Sequence, residues 1–355
     1  MASSRVIGLD IGSSAVRAAE LEFGNGARSG KSAPTLVQAK EVGLPLGAVR
    51  DGEVVQPNAV SQALRQLWTS AKFESKDVII GVGNQRVLVR DLDLPAMPLA
   101  QLKSSLPFQV GDMLPMSADD ALLDYYPIDE VDGPQGRMVR GMLVAAQRDT
   151  VTSNVLAVEG AGLRPVMVDL NGFALLRALA RGELAQATTA FVDVGATITT
   201  VVIAAAGVPK LVRSLPSGGH HVTAAVAAAL NIAVPEAENL KREIGVGLTV
   251  SPDRQPAAEA IGQVVRTLVE SVRNTLVYYQ SNMPGATIEV LVLTGGGAHL
   301  PGLGQYMSSA TRLPATLGNP LATLRQGKLA ARDHLAPGRE SLFALSVGLA
   351  YGVAA

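Results

Sequence analysis

The chain contains no cysteine in 355 residues. Disulfides, thiolate nucleophiles, zinc fingers and iron–sulfur ligation are therefore excluded, and the fold must stand on its core alone. Aromatic residues are scarce too, at 4% with a single tryptophan, so Ala, Val, Leu and Ile must build that core within a 48% hydrophobic composition. Charged residues amount to only 17%, which excludes general disorder and implies extensive burial. They nearly cancel: 30 Lys and Arg against 31 Asp and Glu leave −1, no global field for nucleic acid or anionic lipid. Long apolar runs are missing as well. The start passes from Met-Ala-Ser-Ser-Arg straight into the strand-like Val6-Ile7-Gly8-Leu9, broken by Asp10, with no signal-peptide pattern. The uncharged run over 194–209 is too short for a membrane span and rich in β-branched residues, hence strands. The apolar stretch 342–355 has neither a basic flank nor a polar face and reads as a buried helix. A cytosolic location is expected. At roughly 150 residues per domain, the length suggests about two domains.

Apolar patterning predicts strands over 6–10, 16–22 and 36–42, a helix over 58–72 preceded by Pro57, and a buried strand over 78–82. From about 86 to 165 the order is strand, helix, two strands around a loop at 129–136, helix and strand, a small α+β insertion. A helix at 172–181 follows. Beyond it come helices at 222–230, 235–244 and about 257–282, a strand at 289–293 and a closing helix at 341–351. The stretch 313–334 is weakly patterned and reads as a loop.

The opening recurs. Phe191-Val192-Asp193-Val194-Gly195-Ala196-Thr197 repeats Gly8-Leu9-Asp10-Ile11-Gly12-Ser13-Ser14 at an offset of 183 residues. Each copy runs apolar strand, Asp, apolar residue, Gly, two small residues and a second strand. Glycine at such a turn lets backbone N–H groups approach a phosphate without a Cβ in the way. Ser13, Ser14 and Thr197 add hydroxyl donors. Asp10 and Asp193, one at each strand end, suit a water-coordinated Mg²⁺ between opposed β- and γ-phosphates. Either copy alone reads equally well as an ordinary hairpin with a capping aspartate; the repetition favours the ligand reading.

A second element is Leu291-Val292-Leu293-Thr294-Gly295-Gly296-Gly297-Ala298, a buried strand ending in glycines before a helix. It brings bare backbone beside a ligand, usually a nucleotide. It is no dinucleotide fingerprint, because Leu300 stands where the third glycine is needed. Gly24-Asn25-Gly26-Ala27-Arg28-Ser29-Gly30-Lys31-Ser32 mimics a Walker A loop. Asn25 occupies the position of the first glycine, however, and Pro34 with a strand pattern follows where a helix is required, so the segment reads as a flexible hairpin loop. His220, His221, His299 and His334 show no metal-ligand spacing, and no Gly-x-Ser-x-Gly elbow occurs.

Two phosphate hairpins, a strand–Gly-Gly-Gly loop and a closing apolar helix, in that order along the whole chain, resemble the actin-like ATPase fold of actin, the sugar kinases and FtsA. Two segments narrow the resemblance. Arg213-Ser214-Leu215-Pro216-Ser217-Gly218-Gly219-His220-His221-Val222-Thr223, followed by Ala237-Glu238-Asn239-Leu240-Lys241, is similar to a segment shared by FtsA and PilM. Met167-Val168-Asp169-Leu170-Asn171-Gly172-Phe173-Ala174-Leu175-Leu176-Arg177 is similar to the PilM segment linking the two halves. The insertion sits where both families carry their 1C subdomain, and the amphipathic tail of FtsA is missing. The sequence thus most resembles PilM, the type IV pilus assembly family.

That resemblance implies an α/β actin-like fold of two duplicated ribonuclease-H-like halves with a small α+β 1C subdomain. The first half is expected over 1–85, joined by 166–187 and the closing helix 338–355; the insertion over 86–165; the second half over 188–337, with a helical insertion at about 222–285. ATP and Mg²⁺ are the implied ligands. Asp10, Gly12, Ser13 and Ser14 would form the first phosphate loop and Asp193, Gly195, Ala196 and Thr197 the second, with Asp10 and Asp193 on Mg²⁺ through water. Gly218 and Gly219 would sit near the phosphates or ribose, Glu238 and Lys241 would line the ribose and adenine, and Gly295, Gly296 and Gly297 would pass beneath the adenosine. Arg17 stands where PilM proteins often carry Lys and is a further candidate for phosphate. Asp169 and Asn171 lie near where related folds position the attacking water, but no general base is assigned, so slow ATP turnover at most is expected. The implied partner is the N-terminal cytoplasmic segment of a PilN-like inner-membrane protein, held in the cleft between the first-half subdomains. Pilus motor ATPases are further candidate partners, and the inner face of the membrane would be reached only through a partner. An FtsA-like filament-forming division protein and a small-molecule kinase of the same fold are the alternatives.

Overall fold

The computed structural model describes residues 4–24, 32–133, 136–283, 285–332 and 338–352; most of the Walker-like segment, His334 and the last three residues lie outside these ranges. The chain begins with an antiparallel meander, β1 (Ser4–Ile11), β2 (Ala15–Phe23) and β3 (Thr35–Gly43). A short hairpin, β4 (Val49–Arg50) and β5 (Glu53–Val54), leads to α1 (Pro57–Ala71). Pro57 suits the helix start, where its missing N–H has no partner to lose, and Lys72 closes the helix in the left-handed conformation. Val60, Ala63, Leu64, Leu67 and Ala71 form one buried stripe that shares a core with Ile7, Leu9 and Ile11 of β1. β6 (Asp77–Val82) then runs parallel to β1.

Next come β7 (Val87–Pro95), α2 (Leu99–Val110), β8 (Ala121–Gly133) and β9 (Gly136–Gln147), whose strands form a separate sheet in the order β7-β9-β8. β8 and β9 run through most of the loop expected at 129–136: Asp129 pairs with Arg140 and Asp132 with Arg137. Strong charge on both faces of this ribbon hides the alternation that marks a half-buried strand. α3 (Arg148–Gly160) buries Ala157 and Val158 in the core it shares with α1, and β10 (Arg164–Leu170) pairs in parallel with β6. α3, grouped with the insertion on sequence order, thus packs with the first sheet, as β10 does. α4 (Asn171–Leu179) follows at once.

The second sheet repeats the meander with β11 (Thr188–Val194), β12 (Thr199–Ala205) and β13 (Val208–Leu215). The register repeats too. Asp10 pairs with Arg17, and Asp193 with Thr200, each 183 positions on. Gly12 N donates to Ala15 O at 3.0 Å, and Gly195 N to Ile198 O at 2.9 Å. Then come α5 (Gly219–Leu230), α6 (Val234–Ile244), the long α7 (Gln255–Asn282), β14 (Val290–Thr294) parallel to β11, α8 (Leu303–Thr311) and β15 (Ala315–Leu317). β16 (Arg325–Gln326) returns to pair with β3, followed by α9 (Lys328–Arg332) and α10 (Ala344–Ala350). The stretch 313–334 therefore carries two strands and a helix where a loop was expected; strands of two and three residues are too short for any periodicity to show.

The strand orders are β10-β6-β1-β2-β3-β16 and β13-β12-β11-β14-β15. α4 and α10 fill the space between the sheets, sharing a core with Leu21 and Phe23 of the first and Phe191 and Val202 of the second. Gly348 makes their crossing possible, since a Cβ there would collide with the carbonyl oxygen of Ala174. The β1–β2 and β11–β12 turns face each other beyond this pair of helices. No described helix is long and apolar enough to cross a membrane.

Candidate functional site

Between the two turns lies a cavity of about 840 Å³, within the range of small-molecule sites. Its wall contains all sixteen residues named from sequence: Asp10, Gly12, Ser13, Ser14, Arg17, Asp193, Gly195, Ala196, Thr197, Gly218, Gly219, Glu238, Lys241, Gly295, Gly296 and Gly297. The turns touch directly, Ser13 Oγ lying 2.8 Å from Thr197 Oγ1. Asp10 and Asp193 are both buried at the strand ends behind them. Burial pushes the Asp10 carboxyl up to about 6, against the pull of Arg17 and with a further push from Asp193. Burial raises Asp193 as well, opposed by the hydroxyl of Thr294, which donates to its Oδ1 at 2.9 Å, and by Arg17. Two mutually repelling buried carboxylates form a hard oxygen donor set, and a divalent cation would relieve both penalties. No cluster of three or more acidic or histidine groups completes a cage among the described residues, so the other positions would fall to water and ligand oxygens.

The second wall is the start of α5. Gly219 N donates to Gly195 O at 2.9 Å and His220 N to Ala196 O at 2.7 Å, tying the helix to the second turn. Gly218 N donates to His221 Nδ1 at 3.2 Å. Behind this, Lys241 of α6 is buried, and its ammonium donates to Gly219 O, Thr223 Oγ1 and Glu238 Oε2 at 3.1, 3.0 and 2.6 Å. Thr223 Oγ1 donates to the same carboxylate. Burial would raise Glu238, but the hydrogen bonds from Lys241 and Thr223 outweigh it and hold the carboxyl below its ordinary range. This network fixes a polar wall in place before any ligand arrives. Gly295–Gly297 form the third wall, close over Val194 and Gly195.

Of Asp169 and Asn171, only Asn171 lines the cavity. Its side chain fits between Gly81 and Gly83, and its buried Oδ1 has no hydrogen-bond partner. Asp169 instead pairs with Arg177, and burial raises its carboxyl against that pull. The cavity also contains Glu41, Thr223, His299 and Arg339, which sequence reasoning missed. Glu41 lies near the end of β3 and Arg339 298 residues away, with no motif linking them. The Thr223–Glu238–Lys241 spacing was the available signal for Thr223.

Two duplicated meanders, each extended by parallel strands, held apart by two helices and meeting at a cavity between their turns, define a protein of the actin-like fold. MreB 5 of Spiroplasma citri, in a structure bound to AMPPNP, shares that fold with a TM-score of 0.52 at 14% identity, over 97% of this chain and 94% of that one. The model of the family described as "Type IV pilus assembly protein PilM" matches residues 8–352, and the chain belongs to that family. A chain of a PilM-PilN type IV pilus biogenesis complex superposes with a TM-score of 0.82 at 26% identity, over 97% of both chains. The cell division protein FtsA of Bacillus subtilis (strain 168) is 21% identical over 305 residues, 73% of this chain and 68% of FtsA, a more distant relation.

Proposed function

We propose that the protein is an ATP-binding scaffold of type IV pilus assembly. The cavity takes Mg-ATP, and the first half takes the N-terminal cytoplasmic segment of a PilN-like inner-membrane protein. One observation carries the nucleotide reading: segments around residues 10, 195, 218, 240 and 296 converge on one cavity, with paired acidic residues and small hydroxyls where its two turns meet. The turn residues would hold phosphates, Glu238 and Lys241 the ribose and adenine side, and Gly295–Gly297 the face beneath the adenosine. Asp10 and Asp193 would hold Mg²⁺, which neutralises phosphate charge. Asn171 lines the cavity beside the turns, but its carboxamide cannot take a proton from an attacking water. Slow turnover follows from that chemistry.

The similarity to the PilM-PilN complex supports a PilN-type partner. The cleft for it lies between the first sheet and the β7-β9-β8 sheet, where Tyr126 of β8 packs on Phe173 of α4 at 4.9 Å between ring centres. Val166, Met167 and Val168 expose apolar surface on β10, an edge strand of the first sheet. The protein sits at the cytoplasmic face of the inner membrane through this partner, with the pilus motor ATPases as further contacts. Calorimetry with Mg-ATP tests the site: the wild-type chain binds at one saturable site, and Asp10→Ala/Asp193→Ala abolishes binding. Undiminished affinity in the double variant would remove both turns from the nucleotide site.

A further inference from the structure

The two halves differ at one place where the duplication would make them alike. In the first meander, Asp10 of β1, Arg17 of β2 and Glu41 of β3 pair in one row across three strands. The corresponding row of the second meander is Asp193, Thr200 and Ser214, with one charge in place of three. Folding of the meander therefore does not require the extra charges. Arg17 reaches both neighbours: its guanidinium lies 3.9 Å from Asp10 Oδ2, and its Nε donates to Glu41 Oε2 at 3.0 Å. Glu41 holds a second guanidinium, that of Arg339, through its other oxygen. All four side chains line the cavity.

The segment bearing Arg339 touches both halves: Phe343 packs with Leu21 and Phe23 of the first sheet, and two further contacts join it to the second half. Gly295 N reaches Ser341 O at 3.4 Å, and Ser341 Oγ lies 2.8 Å from His299 Nε2. Arg339 thus bridges the cavity from the glycine loop of the second half to the first sheet. Its side chain is about half exposed, at 48%, whereas that of Arg17 is largely enclosed at 14%. Two acids and two guanidiniums cancel along the row. A polyphosphate entering beside Asp10 adds acceptor oxygens that a guanidinium binds in the same bidentate way as a carboxylate.

We propose that Glu41 is an internal competitor for nucleotide phosphate, and that Arg339 is a phosphate-binding residue which Glu41 holds back until a nucleoside triphosphate enters. The inference rests on the proposed nucleotide site and deepens it. Releasing Arg339 from Glu41 opens that single bridge, so phosphate binding and loss of the Arg339–Glu41 pair are one event.

The test is calorimetry of the full chain with Mg-ATP and, separately, with adenosine, in wild type, Glu41→Gln, Arg339→Gln and the double variant. Glutamine keeps the size of Glu41 and removes the charge of Arg339 on a shorter side chain, and thermal melts check that each variant is folded. Glu41→Gln tightens Mg-ATP and Arg339→Gln weakens it, each by about tenfold given charge-assisted bonds at a partly exposed site. The tightening disappears in the double variant, and adenosine affinity moves in none of them. Weaker or unchanged Mg-ATP binding in Glu41→Gln overturns the inference, as does an equal change for adenosine, which would mark a purely structural pair. Wild-type protein that fails to bind Mg-ATP overturns the nucleotide site itself; normal wild-type binding with no opposed shifts overturns the competition alone.

Discussion

Gly218 opens α5 with φ at −173°, extended backbone that any residue adopts, so glycine is there for space rather than conformation. A Cβ would lie 2.5 Å from Gly195 O and 2.7 Å from Ala196 O, both main-chain atoms of the second turn that cannot rotate away. Reaching ordinary contact requires the helix start and the turn to part by about 0.9 Å, which stretches the Gly219–Gly195 and His220–Ala196 bonds, now 2.9 and 2.7 Å, past useful length. Overpacking of this kind costs about 1–3 kcal/mol, and each of the two lost bonds about 1 kcal/mol more, so Gly218→Ala is expected to destabilise by about 3–5 kcal/mol. The same displacement separates Thr197 from Ser13 and misplaces the turn, lowering Mg-ATP affinity by about tenfold or more, since about 1.4 kcal/mol is tenfold. Gly219→Ala is the control. Its methyl group would meet Gly297, Lys241 and Gly195 at 3.6–3.8 Å, ordinary contact on the cavity wall, so stability holds within about 0.5 kcal/mol. Denaturant melts with calorimetry separate the two variants. A Gly218→Ala protein with wild-type stability and affinity would refute the reasoning.

Two further substitutions probe the frame and the polar wall. Gly348→Ala forces α10 away from α4 and is expected to cost about 1–3 kcal/mol or more, read as a melting temperature lower by several degrees. Glu238→Gln removes a carboxylate that folding holds below its ordinary 4.5. A depressed carboxyl stabilises the fold above its unfolded value and loses that contribution as pH falls through the folded one. The wild type should therefore melt above Glu238→Gln at neutral pH, and the gap should close on acidification below about pH 4.5; a gap independent of pH would contradict the ion-pair account.

What the sequence makes legible is local. Asp, Gly and small hydroxyls at one hairpin, repeated 183 residues later, marked both turns, and Gly295–Gly297 marked the loop after β14, because each group lies within a few consecutive residues. α3 follows the insertion without a break, and only its packing on α1 reveals which sheet it serves. Glu41 and Arg339 are distant in sequence and ordinary in context; nothing short of the fold brings them to one carboxylate. Asn171 stood beside Asp169 as an equal candidate until the fold placed Asn171, packed on Gly81 and Gly83, in the cavity wall and Asp169 outside it.

If the protein is a nucleotide-binding scaffold, as proposed, it also grips a PilN-type segment. Fluorescence anisotropy of a labelled peptide, the N-terminal cytoplasmic segment of the PilN protein from the same organism, titrated with the full chain, tests it most directly. Saturable binding that is lost when Tyr126→Ala and Val168→Asp are introduced together in the first-half cleft is the result the account predicts. No binding by the folded wild-type chain, or binding untouched by those changes, would contradict it.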